Sequence, residues 1–233
     1  MVVNKHGSFY MRSGWGTKII QAVEQDAMIF TPSSEQEAID NIGLGRVMIK
    51  ALRYWSDAMG LTYEEKEQGG IRLVPEPIYY SILNHDLYFQ RLGSLLLLHR
   101  NLALNEENAT AWYWLFNEWK QNVFTKDAFV DGFHSFLSVN GMKVKKTAVD
   151  KEFNCLKNTY IGEGKFDKNS IMDEDTYPFL APLQILKETG KNTYEKRSLT
   201  GKEVPLEILI YSIAMDNIDE SSSGRQINIC LLY

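Results

Sequence analysis

The chain has 233 residues, 44% of them hydrophobic and 24% charged, with a formal net charge of -5. That length and composition provide for a packed core and exclude an intrinsically disordered chain. Net acidity excludes a protein that coats nucleic acid through its overall charge, but not one that holds it at a local basic patch.

The opening "MVVNKHGSFYMRSGW" has no apolar signal core, so a cytoplasmic protein is expected. A first helix is predicted over 16–25, with Ile19, Ile20 and Val23 facing inward. A second starts at Ser33 or Ser34, where "SSEQEAIDNIG" offers a serine cap, early acids and a glycine stop. The third lies in "GLGRVMIKALRYWSDAMGL", residues 43–61. At about 100° per residue, Arg46, Lys50 and Arg53 fall within roughly 60° of one another on this helix. Val47, Ala51, Tyr54 and Ala58 form one apolar stripe, and Met48, Leu52, Trp55 and Met59 its neighbour, both facing away from the cations. "LTYEEKEQGGIRLVPEP" then reads as a hairpin turning at or near Gly69-Gly70, which gives the element order of a winged helix.

Residues 91–119 read as two strongly apolar helices, "RLGSLLLLHRNLAL" and "NATAWYWLFNEWK", the buried hub of the molecule. Core packing is the expected role of Trp112, Trp114 and Trp119. The run "LLLL" at 95–98 is too short to span a membrane, and no membrane partner is expected. A further helix opens at Thr125, a plausible N-cap, and closes at Asn140-Gly141. The next runs from about Lys146 to Tyr160, with Val149, Phe153, Leu156 and Tyr160 on its apolar face. Thr147, Lys151, Asn154 and Asn158 lie opposite, and Lys143, Lys145 and Lys146 cluster at its start. Residues 162–175 are polar and glycine-bearing, a loop or wing. A last helix is expected around 204–215, opened by Pro205, and a terminal strand in "RQINICLLY". Cys155 and Cys230, without framework spacing, are read as unpaired buried thiols.

These elements give a mostly helical α+β protein with two winged-helix-like units around a buried helical hub. The expected divisions are an N-terminal unit over 1–82, the hub over 83–120, a second unit over 121–175, and a C-terminal helix and strand over 176–233. In a helix-turn-helix unit the later helix enters the major groove, where arginine bridges guanine acceptors and lysine meets phosphate. Candidate DNA contacts are Arg46, Lys50 and Arg53 on the first reading helix, and Lys145, Lys146, Lys151 and Asn154 on the second. The plain alternative for either stripe is a solvated surface face.

Signals for catalysis are sparse. There is no GxSxG, no P-loop and no catalytic-cysteine signature, and His6, His85, His99 and His134 show no zinc spacing with the cysteines. Conceivable oxygen ligands for Mg²⁺ are the His85-Asp86 pair, Glu118 and the run Asp173 to Asp175, the last better read as a solvated loop.

Four stretches together resemble a known family: "KHGSFYMRSGW", "IGLGRVMIKALRYWSDAMGL", "LLLLHRNLALNEENATAWYWLFNEW" and "TAVDKEFNCLKNTY". It is a bacterial family long filed as a domain of unknown function, whose members occur in DNA phosphorothioation defence systems. The resemblance runs in order from about His6 to Tyr211. His6, Phe9, Arg12 and Trp15 match the opening motif, and Gly45, Arg53, Tyr54 and Trp55 the reading helix. Thr110, Trp112, Asn117 and Glu118 match the hub, and Asp150, Cys155 and Tyr160 the second unit. The resemblance implies a DNA-binding component of a phosphorothioation system, acting as a Mg²⁺-dependent DNA-nicking endonuclease. The alternative is a non-catalytic DNA-binding adaptor or transcriptional regulator. Implied partners are double-stranded DNA and the desulfurase, ATPase and PAPS-reductase-like proteins of such systems. Implied catalytic residues are His6 as base or ligand, Arg12 at the developing phosphate charge and Glu118 as metal ligand. One departure is Gly7, where the family motif carries an acid, and the C-terminal element is expected to be incomplete.

Overall fold

The computed structural model describes residues 1–161 and 177–218, with side chains through residue 215. Helix α1 (Trp15–Gln25) buries Ile19, Ile20 and Val23, as their spacing requires. Helix α2 (Glu35–Ile42) follows a 3-10 turn at Pro32–Ser34. The expected serine cap is not made: the tight turn leaves Ser34 at φ -97°, ψ 10°, outside the extended region from which a cap side chain reaches back to the helix. Gly43, at φ 71°, ends α2 in the left-handed conformation that glycine adopts without steric cost.

Helix α3 (Arg46–Ala58) buries Ile49, Ala51, Leu52, Tyr54, Trp55, Ser56 and Ala58. Two placements differ from the stripe pattern. Val47 is 53% exposed, because it sits on the first turn with Gly7 beside it, a residue with no side chain to cover it. Ile49, expected on neither stripe, is buried. Strands β1 (Thr62–Glu67) and β2 (Gly70–Pro75) pair antiparallel with Glu67 opposite Gly70, so the turn residues are Gln68 and Gly69. The first unit is therefore three helices closed by a hairpin, in the order expected.

Helix α4 (Pro77–His85), not expected from the sequence, leads to α5 (Leu92–Leu104) and α6 (Thr110–Tyr113). The second hub helix is shorter than its apolar run suggests. From Trp114 to Glu118 the backbone widens into a π turn, and Trp119 N–H closes on the Trp114 carbonyl at 2.8 Å. This turns both Trp114 and Trp119 toward α7 (Lys126–Val139), with ring centroids 4.6 Å apart. Gly132 on α7 permits it, since a Cβ there would stand 2.4 Å from the Trp119 ring.

Strand β3 (Val123–Thr125) runs into α7, whose N-terminus is capped as predicted by the Thr125 hydroxyl accepting from Ala128 N at 3.1 Å. Helix α8 (Lys146–Tyr160) buries Val149, Phe153, Leu156 and Tyr160, the predicted face. Asn158, placed on the solvent side by the same reasoning, is buried. A 3-10 turn (Ala181–Leu183) leads to strands β4 (Leu186–Gly190) and β5 (Thr193–Lys196), and helix α9 (Leu206–Ile218) ends the described chain. The second sheet has the order β3-β5-β4, with Phe124 opposite Tyr194. Phe124, Phe129, Phe153 and Tyr194 fill the space between this sheet and α7–α8, and Trp114 joins them to the hub at 5.2 Å from Phe129. One hydrophobic core thus runs through both units. The predicted loop over 162–175, the terminal strand over 225–233 and Cys230 lie outside the described residues, while Cys155 is a buried free thiol.

Candidate nucleic-acid interface

The α3 stripe carries less charge than its cations suggest. Arg46 Nε lies 2.6 Å and Lys50 Nζ 3.4 Å from the Glu35 carboxylate, an acid that α2 projects across the stripe. Arg53 meets Glu64 of β1 through two parallel bonds of 2.7 and 2.6 Å, the fork geometry that holds guanidinium to carboxylate. Asp57, four residues on, accepts from Asn108 at 3.0 Å, and burial raises its carboxyl above the ordinary range. Two carboxylates, Glu35 and Glu64, thus pair with the three cations. Arg46 and Lys50 remain largely exposed, so their pairs contribute about 0–1 kcal/mol each and are readily exchanged for another anion.

The start of α8 is different. Lys143 and Lys145 are exposed at the turn, and Lys151 is exposed one turn into the helix. Among the described residues none of these three enters an ion pair; Lys146 pairs with Asp131 at 2.6 Å, with both side chains exposed. Lys145 occupies the N-cap without a side-chain cap, and no acid stands in the first turn. Lysines at the positive end of a helix dipole oppose it at about 0.3–1 kcal/mol each, whereas an anion docked there is favoured by both the dipole and the uncapped N–H groups. Asn154 is committed within the protein: its Oδ1 accepts from Lys126 and its Nδ2 donates to Asp150, each at 3.2 Å.

The three residues implied as catalytic do not gather. His6 is fully buried against Tyr54, Trp55 and Trp112. Ser8 N–H donates to its Nδ1 at 3.0 Å, so Nε2 carries the proton and donates to the Glu152 carboxylate at 3.1 Å. Glu152, itself buried in α8, also accepts from Asn4 N–H, and the network ties the N-terminal segment to the second unit. Arg12 lies over the rings of Phe9, Tyr10 and Trp15, and its backbone bridges to Pro178. Glu118 is exposed at the end of the π turn, 3.4 Å from the Tyr113 hydroxyl. Asp86, the other conceivable ligand, accepts from the backbone of Gln90 and Arg91 and shapes a turn. The run Asp173 to Asp175 lies outside the described residues. Among the described residues no three His, Cys, Asp or Glu side chains converge, so they do not fit a Mg²⁺ site.

Sequence reading missed Glu152, although a signal was present. It stands three residues after Val149 and four before Leu156, so an acid there belongs to the apolar face and needs a buried partner. Glu35 and Glu64 as counter-charges to α3 had no local signal, since each lies on a different element from the stripe.

A family model described as a protein of unknown function, DUF4007, matches residues 3–232. Among solved structures, a crystal structure of magnesium-ion-bound SspB superposes with a TM-score of 0.78 at 21% identity, covering 94% of this chain and 66% of that one. A second SspB crystal structure gives 0.75 at 24% identity, covering 92% and 65%. Identity at that level carries the fold, and the chain spans about two thirds of the length of these structures. No curated protein matches the chain. Among the described residues no helix is long and apolar enough to cross a membrane.

Proposed function

The chain belongs to the DUF4007 family, and from that premise we propose that it is a cytoplasmic DNA-binding component of a phosphorothioation-type defence system, holding duplex DNA first through the start of α8. One observation carries this reading. Helix α8 begins uncapped, without a first-turn acid, amid exposed lysines that have no ion-pair partner among the described residues. Such a terminus is poorly built for the isolated helix and well built for a backbone phosphate. The topology supports it: the order β3, α7, α8, β4 and β5, with sheet order β3-β5-β4, agrees with a winged-helix reading, and on that reading α8 is the helix that meets DNA. Helix α3 adds a second, weaker contact once Arg46 and Lys50 exchange Glu35 for phosphate. Likeness in fold to SspB supports the phosphorothioation setting; the desulfurase, ATPase and PAPS-reductase-like proteins of such a system are the partners this reading proposes.

The second reading, a Mg²⁺-dependent nickase, draws support from a related fold crystallised with magnesium. Supercoiled plasmid incubated with the protein, with and without Mg²⁺, separates the two. A retarded but still supercoiled plasmid in both conditions supports the binding role alone, open circles formed only with metal support the nickase, and no retardation at low salt removes both.

A further inference from the structure

A second basic constellation lies apart from α3 and the start of α8. Between α5, the π turn, β5 and the segment after it is a cavity of about 280 Å³. His99, Lys120, Lys196 and Arg197 line it, with Phe116 and Trp119 as aromatic wall. No Asp or Glu is among its described lining residues, in a chain where acids outnumber bases 30 to 25. Spacing along the chain does not reveal it, because α5, the π turn and β5 are far apart in sequence.

Each donor there has a definable state. Lys196 Nζ donates to the carbonyls of Leu115, at 2.7 Å, and Trp119, which uses two of its three N–H bonds. Burial, reinforced by Lys120, brings its ammonium down to about 8. Burial likewise pushes Tyr160 well above the phenol range, so its hydroxyl stays protonated, and since His99 Nδ1, at 2.9 Å, is its only acceptor among the described residues, the hydroxyl donates there. That leaves His99, held down at about 4 by burial, as a neutral ring whose Nε2 N–H has no acceptor among the described residues. Among the described residues Lys120 Nζ donates only to the Asn117 carbonyl, at 3.3 Å. Arg197 shares its charge with Glu203 at 2.7 Å and donates through Nε to the Gln184 carbonyl.

We propose that this cavity binds a phosphate monoester, either a free mononucleotide or the 5′-phosphate end of a nucleic-acid strand. Cations and neutral N–H donors without a lining carboxylate suit a dianion of compact shape. The volume stands just below the usual range of ligand pockets, about 300–1,000 Å³, and so suits one nucleotide rather than a duplex. Phe116 and Trp119 offer the flat apolar surface that a base or sugar requires. The inference does not depend on the α8 reading, since none of the lining residues lies on α8 and Tyr160, which meets His99, stands at the opposite end of that helix from its lysines.

The pH window follows from the same groups. A phosphate monoester becomes a dianion above about pH 6, and Lys196 loses its charge above about pH 8. His99, Arg100, Lys120 and Arg197 surround it, with Glu203 beyond Arg197, and none of them adds a carboxylate to the lining. Affinity therefore peaks between those two values.

Calorimetric titration of the full chain at low salt with four probes tests this: adenosine 5′-monophosphate, adenosine, a 5′-phosphorylated trinucleotide and the same trinucleotide with a 5′-hydroxyl. Either phosphorylated probe should bind at least about tenfold tighter than its unphosphorylated counterpart, the factor one charge-assisted hydrogen bond provides. Binding of the nucleotide alone identifies a free ligand, and binding of the phosphorylated strand alone identifies a terminus; both uphold the pocket. The double variant Lys120→Gln, Arg197→Gln should lose that factor of about ten. If its melting temperature falls, Lys120→Gln alone, an exposed side chain, gives the same comparison. No binding of either phosphorylated probe at millimolar concentration, equal binding of the 5′-hydroxyl strand, or undiminished binding by the variants overturns the proposal.

Discussion

Removing the Glu152 carboxylate should unlock the N-terminal segment from the second unit. In Glu152→Ala the buried His6 Nε2–H and the half-buried Asn4 N–H lose their acceptor. A buried donor left unsatisfied costs about 1–3 kcal/mol and a half-buried one less, so the variant should lose about 1–4 kcal/mol of stability. That is a large fraction of the roughly 5–15 kcal/mol typical of a domain. Both donors meet the same oxygen, Oε2, so Glu152→Gln, whose amide oxygen can take that place, should lose clearly less than Glu152→Ala. Urea denaturation followed by tryptophan fluorescence reads the loss directly, because Trp55 and Trp112 both lie against the His6 ring. The double variant His6→Ala, Glu152→Ala should cost well under the sum of the singles, since both remove one interaction. A loss below about 1 kcal/mol in Glu152→Ala would refute the reasoning and reopen His6 as a residue held for chemistry rather than packing.

Other substitutions test neighbouring parts of the account. Trp112→Ala, at a fully buried ring 5.4 Å from Trp55, should cost about 3–5 kcal/mol in the same denaturation assay. His99, down at about 4 from an ordinary 6.5, binds its proton more weakly folded than unfolded. Its contribution is complete above about pH 6.5 and is lost as pH falls toward 4, by up to about 3 kcal/mol. His99→Gln should lack that part of the acid sensitivity in melting curves taken across this window. Lys50→Ala with Arg53→Ala should lower the salt slope of duplex binding by less than about two units, because Arg53 is already committed to Glu64. A fall of the full two units would mean that this pair opens on DNA.

The helical part of the fold was largely legible in the sequence. Helix α8 follows from Val149, Phe153, Leu156 and Tyr160 at helical spacing, and α7 from a threonine cap whose bond to Ala128 is present. The hairpin followed from Gly69-Gly70 between alternating segments. Less legible was anything decided by elements far apart in the chain. Strands β4 and β5 are short, and β5 owes its register to β3, about seventy residues earlier. The π turn arises from two tryptophans packing on Gly132, which an apolar run shows only as helix. For the candidate interface, spacing found the cations of α3 and α8 but not the acids opposite them. Glu35 and Glu64 are what distinguish a matched face from the unmatched lysines at the start of α8.

The central claim is that α8 provides the electrostatic hold on DNA. Its most direct measurement is the salt dependence of duplex affinity for the parent chain and for Lys145→Ala, Lys151→Ala. Neither lysine is in an ion pair among the described residues, and Lys145 makes no capping bond, so folding should be unaffected. Each phosphate contact contributes about 0.9 to the slope of log affinity against log salt, so the double variant should show a slope shallower by about 1.8, with affinity reduced on every sequence alike. An unchanged slope and affinity in a folded double variant would contradict the account.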